Sequence, residues 1–267
     1  MTDPIAPLVA ALHAQGRLRV WSLIITVFGD LVQHRGGEIS TTRLGHLLDR
    51  AGVERGAVRT ALSRLGRDGW VTSTRKGRSS LYRLSAEGEE RFAPATSRIY
   101  AAPLPTEVRN WRVSVRLQDN GLQQVALRPL SEDDEESDLR LSGALEHVSD
   151  AYRESLLDPG HRRALTLLAD DLKTLTNADI QEPLDAATAR MLLIHRWRRI
   201  VLRFDDIFPD LMPKDAPLAD PRRAVAQAYH RLTPATDAWL DRADGELSAM
   251  PMPSRCLAPR FVSSDEA

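Results

Sequence analysis

Apolar positions recur every three or four residues through most of this chain, and in a few short stretches the period drops to two. Over residues 17–33, Val20, Leu23, Ile24, Val27, Phe28 and Leu31 fall at helical spacing, and His34-Arg35-Gly36-Gly37 stops the run. Residues 1–16 ahead of it predict a short helix or a frayed leader. Glu38-Ile39-Ser40 predicts a short strand. Thr41 or Thr42 then caps a second helix that turns Leu44, Leu47, Leu48 and Ala51 inward and ends at Gly52. A third helix follows over residues 54–67. At 100° per residue, Ala57, Val58, Ala61, Leu62 and Leu65 share one arc, the spacing of a helix seated on a core. Gly69 suits a left-handed helix terminus, with Trp70 as its closing contact. Two period-two stretches come next, residues 71–74 and 81–84, joined by Arg75, Lys76, Gly77, Arg78, Ser79 and Ser80. Ser85 caps a further helix through Phe92.

The opposite arc of the third helix changes the picture from fold to chemistry. It holds Arg55, Gly56, Arg59, Thr60, Ser63, Arg64 and Arg67: four guanidinium groups, two hydroxyls and no acid. A solvated helix mixes its charges, because like charges one turn apart repel. A face of one sign suits a polyanion. The glycine turn adds Arg75, Lys76 and Arg78, cations placed to meet phosphates. From Arg50 to Arg83 nine basic residues face only Glu54 and Asp68, whereas the 267-residue chain carries a net charge of −1. The concentration is local. A merely solubilising cluster beside an ordinary hairpin is the bland alternative. Helix, helix, short turn, helix and hairpin is the order of a winged helix-turn-helix, whose second paired helix lies in the major groove.

Composition, 42% hydrophobic and 27% charged, fits a folded chain with a substantial core, and the net charge of −1 excludes a generally basic coat protein. The most apolar run, residues 21–28, is too short to span a bilayer, which needs about 20 apolar residues. The single cysteine, Cys256, cannot form an internal disulfide or a cysteine-rich zinc site, so a cytoplasmic location is expected.

The second half is less pointed. Residues 103–110 form a linker; Trp111, Val113, Val115 and Leu117 alternate as a half-buried strand. Asp119-Asn120-Gly121 predicts a tight turn, and residues 122–130 return as a second strand. The acidic run 132–136 reads as a solvated loop rather than a metal site. Leu165, Leu168, Leu172 and Leu175 line a helix over residues 161–175. The strongest helix spans residues 186–204, with Leu193, Trp197, Ile200, Val201 and Phe204 on one face and a basic stripe of Arg196, Arg199 and Arg203. The tail after Ser248 is proline-rich and reads as loose.

Several of these stretches resemble the PaaX family of bacterial repressors. The resemblance is carried by Phe28-Gly29-Asp30, Arg35-Gly36-Gly37, Val58-Arg59-Thr60-Ala61 with Arg64-Leu65, Gly69-Trp70, Gly77-Arg78, Tyr82-Arg83-Leu84 and Arg98-Ile99-Tyr100. In the second half it is carried by His195-Arg196-Trp197-Arg198-Arg199 and residues 208–213. It implies an α+β, mainly helical chain in three parts. These are a winged helix-turn-helix over 17–100, a small middle domain over 104–175 resembling the ferredoxin-like Cas2 fold, and a helical effector and dimerisation domain over 180–247. The middle domain departs from the family, because a short turn stands where a helix should follow the first strand. The resemblance implies a transcriptional repressor of phenylacetate catabolism that leaves its operator on binding phenylacetyl-CoA. Arg55, Arg59, Thr60, Ser63, Arg64, Arg67, Arg75, Lys76 and Arg78 would contact DNA; His195, Trp197, Arg198, Arg199 and Arg203 would contact the effector. The 195–199 segment also suits plain helix packing and, after the effector reading, a dimer contact. Dimerisation follows because one reading helix covers only a few base pairs. No cofactor and no metal are expected. His195 with Asp205 and Asp206 could be written as a catalytic group, but no nucleotide loop, zinc-spaced cluster or nucleophile elbow supports an enzyme. A protein- or RNA-binding winged helix and a degenerate nuclease remain the rival classes.

Overall fold

The structure, a computed structural model, describes residues 3–16, 18–76, 79–119, 121, 123–131, 136–245, 247–254 and 260–262, with Lys76 as backbone alone. Among these, the chain is mixed α+β and dominated by helix. It packs as two compact units: Met1–Pro103 with Arg163–Asp205 and Pro221–Ala267, and Leu104–Arg162 with Asp206–Asp220. This differs from the consecutive three-part division expected from sequence, because the helices of the second half pack with the N-terminal segment.

In the first unit α1 (Ala6–His13) and α2 (Val20–Val27) are followed by a π-helical turn over Phe28–Val32. Strand β1 (Glu38–Ser40) leads into α3 (Thr41–Arg50). The cap of α3 is Ser40, one residue before the expected threonines: its hydroxyl accepts the Arg43 N–H at 3.1 Å. Next come α4 (Arg55–Arg67), β2 (Val71–Lys76), β3 (Ser79–Leu84) and α5 (Ala86–Ile99), the last capped by Ser85 as its sequence predicts. The strands form an antiparallel sheet in the order β1-β3-β2, with Val71 opposite Leu84 and Lys76 opposite Ser79. The hairpin is therefore longer than expected, and Arg75, Lys76, Ser79 and Ser80 belong to strands rather than to the turn.

The second unit holds β4 (Trp111–Leu117), β5 (Gln123–Pro129), β6 (Leu139–Gly143) and α6 (Asp150–Leu156). The expected hairpin of β4 and β5 is present, Val115 facing Val125, and β6, which sequence reasoning missed, pairs with the other edge of β4. Trp111 packs edge-on against Phe208 at 5.3 Å, with Leu127, Leu145 and Leu211 around them. Farther along the same sheet face Leu117, Val125, Leu139 and Leu141 remain more than half exposed.

Helix α7 (Pro159–Asn177) precedes α8 (Pro183–Val201) and α9 (Pro221–Asp241), and the last two pair along their length. Helix α8 is buried almost all round from Ala186 to Trp197, which is what a central helix must be. Its polar residues therefore need partners. Arg196, expected in a basic stripe, is buried and ion-paired through Nε and Nη2 with both oxygens of Asp171, the second bond at 3.2 Å. Burial pushes the Asp171 carboxyl up despite that partner. The stripe is broken because α7 covers this side of α8, and only Arg199 and Arg203 stay exposed.

Candidate nucleic-acid interface

Helix α4 is anchored by Val58, Ala61, Leu62 and Leu65, all buried. It closes on Gly69 at φ +75°, where the Trp70 N–H reaches the Leu65 carbonyl at 2.9 Å. Anchoring one arc forces the other into solvent: Arg55, Arg59, Thr60, Ser63, Arg64 and Arg67 are all exposed. Among the described residues Arg55, Arg59 and Arg67 reach no carboxylate, and Arg64 meets only Asp68 at 3.8 Å. Thr60 turns its hydroxyl back to the Gly56 carbonyl at 3.0 Å. Arg75 is exposed on β2, whereas Arg78 and the side chain of Lys76 lie outside the described residues, as do Cys256 and most of the acidic run. The result is a cationic ridge whose guanidinium groups stand free to exchange water and counterions for phosphate or base edges.

One flank of that ridge borders a cavity of about 1080 Å³. Its walls come from the end of α1, the start of α2, the Ala57–Thr60–Arg64 edge of α4, and His195 with Arg199 on α8. Arg19 adds a third guanidinium, and no acidic side chain is among the described residues that line it. His195 is set by Thr26, whose hydroxyl lies 2.9 Å from Nδ1. Burial first, and then the neighbouring Arg198, Arg199 and Arg196, hold its imidazole down at about 3, so it is neutral at pH 7.

The structure does not gather the five proposed effector residues. Trp197 is buried, donating its indole N–H to the Ile99 carbonyl at 2.9 Å, with the Arg222 guanidinium 5.1 Å over its ring. Arg198 donates to the Ser22 carbonyl at 3.0 Å and to Thr26. Arg203 is exposed beside Phe204. Only His195 and Arg199 reach the cavity.

Sequence reasoning also missed a buried ionic centre in the first unit. Asp30, fully buried in the π-helical turn, accepts from Arg190 Nε at 3.1 Å, Arg260 Nη1 at 3.0 Å and the Tyr100 hydroxyl at 3.2 Å. Arg260 also reaches the Gly29 carbonyl at 2.7 Å and the Tyr229 hydroxyl at 2.9 Å. Burial, with Asp30 alongside, pushes both phenols up, so they remain neutral, Tyr100 donating to Asp30 and Tyr229 accepting from Arg260. The tail is thus not loose throughout. Ser254 donates its N–H to the His34 carbonyl at 2.7 Å, and Phe261 packs its ring on Tyr100 and Tyr229. Proline content reported the missing regular structure but not the docking of Arg260. A signal for Asp30 existed: on a helical wheel it falls beside Leu23, a charge on the buried arc.

Fold and site together define an α+β chain, mostly helical, that presents an arginine ridge on one helix next to a cationic hairpin. Comparison with known proteins narrows that class. Residues 19–88 match the family described as PaaX-like protein, and residues 145–242 match the PaaX-like protein C-terminal domain, together more than half of the chain. The chain belongs to the PaaX-like family. It is similar to the Transcriptional repressor PaaX of Escherichia coli strain K12, 27% identical, over 90% of this chain and 89% of that one. Among solved structures, the uncharacterized protein Rv0674 from Mycobacterium tuberculosis shares 18% identity, covering 82% of this chain and 97% of that one, with a TM-score of 0.46. No helix among the described residues is long and apolar enough to cross a membrane.

Proposed function

We propose that the protein is a DNA-binding transcriptional repressor whose α4 enters the major groove as the reading helix of a winged helix-turn-helix. The observation that carries this reading is the exposed, acid-free face of Arg55, Arg59, Arg64 and Arg67 on a helix otherwise locked to its core. Arginine pairing with guanine O6 and N7 is the commonest specific contact to a base edge. Thr60 and Ser63 reach flanking phosphates or bases, and the β2–β3 wing lays Arg75, Lys76 and Arg78 on the backbone. The repressor works as a homodimer, since a paired half-site supplies the specificity that one helix lacks. By kinship with a repressor named PaaX, the regulated genes are those of phenylacetate breakdown, and an aryl acyl-CoA such as phenylacetyl-CoA releases the operator.

The test is fluorescence-anisotropy binding to the promoter of its own operon, with and without phenylacetyl-CoA. Tight, salt-dependent binding that the thioester reverses supports the whole reading. Binding indifferent to the thioester keeps the repressor and removes that effector. No binding to duplex DNA moves the function to a protein- or RNA-binding winged helix.

A further inference from the structure

The cavity beside the reading helix has the chemistry of a ligand site. Its volume, about 1080 Å³, lies at the upper end of what small-molecule and cofactor pockets occupy, roughly 300–1,000 Å³. Among the described residues its charged lining is of one sign, Arg19, Arg64 and Arg199, while Leu12, Leu18 and Trp21 give it an apolar side. Trp21 is 38% exposed, unusual for a tryptophan within an otherwise apolar run and suited to stacking on a ligand. Three arginines in a lining that holds no carboxylate among the described residues call for an anion, and guanidinium forks match phosphate or carboxylate oxygens. An apolar side next to them calls for an anion with an apolar body.

The position of the cavity matters as much as its chemistry. Around the axis of α4 the exposed residues spread over a wide arc, with Arg55 and Arg59 at one edge and Thr60 and Arg64 toward the other. The cavity runs along the Thr60–Arg64 edge and meets neither Arg55 nor Arg59. A ligand held there touches side chains that the proposed reading assigns to the duplex.

We infer that this cavity binds a phosphate-bearing amphipathic organic anion, and that the anion dislodges DNA directly by occupying Arg64 and Thr60 rather than by reshaping a distant part of the molecule. Arg19 and Arg199 hold its phosphates from the sides opposite α4. Leu12, Leu18 and Trp21 receive its apolar part. This inference rests on the reading of α4 as the DNA-binding helix, and it moves the effector contacts from Trp197, Arg198 and Arg203 to the cavity residues.

The experiment uses the full chain with three probes: phenylacetyl-CoA, coenzyme A and phenylacetate. Calorimetry on the wild type is expected to rank them in that order. Arg199→Glu and Arg19→Ala each weaken phenylacetyl-CoA at least tenfold while ligand-free operator affinity stays within twofold. Direct competition makes the apparent operator Kd rise in proportion to thioester concentration without a plateau. A plateau, which reports a ternary complex, overturns the inference and leaves the repressor reading intact. Unchanged thioester binding in both variants, judged folded by circular dichroism, overturns the location. Phenylacetate binding as tightly as the thioester overturns the phosphate assignment, and failure of all three probes to bind overturns the ligand class. Loss of operator binding in the wild type without ligand is separate, because it removes the reading on which the inference rests.

Discussion

The arginines of α4 and the arginines around α8 and α9 are the same side chain under opposite conditions. Arg55, Arg59 and Arg67 stand in water with no carboxylate in reach among the described residues, on a helix whose fold needs nothing from them. Arg35, Arg43, Arg190 and Arg196 are buried, and each is tied to named acceptors. Arg43 donates to the carbonyls of Trp239, Arg242 and Ser248, closing the end of α9. Arg35 reaches Asp237 at 2.9 Å and also Asp241. A buried guanidinium must have such partners or the fold loses several kcal/mol. An exposed one with no partner has its hydrogen-bonding capacity in reserve for something outside the chain. The inner set should therefore govern stability and the outer set binding, and each class of variant should leave the other property nearly unmoved.

The largest effect tests the inner half. Asp30→Ala leaves Arg190 and Arg260 buried without their carboxylate, and breaking such a network costs about 3–5 kcal/mol. Urea denaturation should show that loss as a lower midpoint. An unchanged midpoint would mean the Asp30 centre is not structural. Arg196→Ala, which strands Asp171, should behave similarly though less severely, because the raised Asp171 carboxyl can take a proton. The double change Arg196→Met with Asp171→Leu should recover most of the stability, since a well-packed apolar pair replaces a buried ion pair at little cost. If the double variant is as weak as the single one, the pair contributes attraction beyond its own desolvation.

Next in size is the outer half. Arg59→Ala should cost about 1–3 kcal/mol of operator affinity, roughly a fivefold to 150-fold rise in Kd. The slope of log affinity against log salt should change by about one if Arg59 meets a phosphate, and affinity across sequences should even out if it meets a base. Its denaturation midpoint should stay within about 0.5 kcal/mol of the parent, as for other exposed positions. A variant that unfolds instead would contradict the division between the two sets.

How far this division could be read from the sequence differs between the two sets, for a physical reason. The face of α4 was legible because burial and charge there follow one helical period: four apolar residues anchor it and every arginine lies opposite. Helix α8 has no such signal, since a helix enclosed on all sides shows no polar face, and its arginines read from sequence as a basic stripe. Arg196 sits on the side covered by α7, and its partner Asp171 is 25 residues away in sequence. Asp30 and Arg260 are 230 residues apart, a separation at which no local pattern pairs an acid with a base. Ser85, by contrast, was identified as a cap because its partner Gly88 lies three residues on. The five residues named for the effector are dispersed for the same reason as the stripe. His195 and Arg199 share the cavity, while Trp197 and Arg198 point into the packed interior, so a contiguous motif was divided by the helical period.

A further effect, spread over pH, concerns two histidines that lie among these buried arginines. His34 is held down at about 3 by burial, then by Arg260, and His195 is held at about the same value by burial and its arginine neighbours. In the unfolded chain both titrate near 6.5. Between pH 6.5 and about 3 the unfolded state binds protons that the native state refuses, so stability rises with pH across that window and is lost as pH falls through it. Each histidine should contribute up to about 1.4 kcal/mol per pH unit below 6.5. Denaturation midpoints measured from pH 7.5 to 5 should therefore fall on the acid side, and His195→Gln should flatten the fall by about half. Removing the exposed cations instead, as in Arg59→Ala, should leave that slope unchanged, because Arg59 lies on the exposed arc of α4 and plays no part in holding either imidazole neutral.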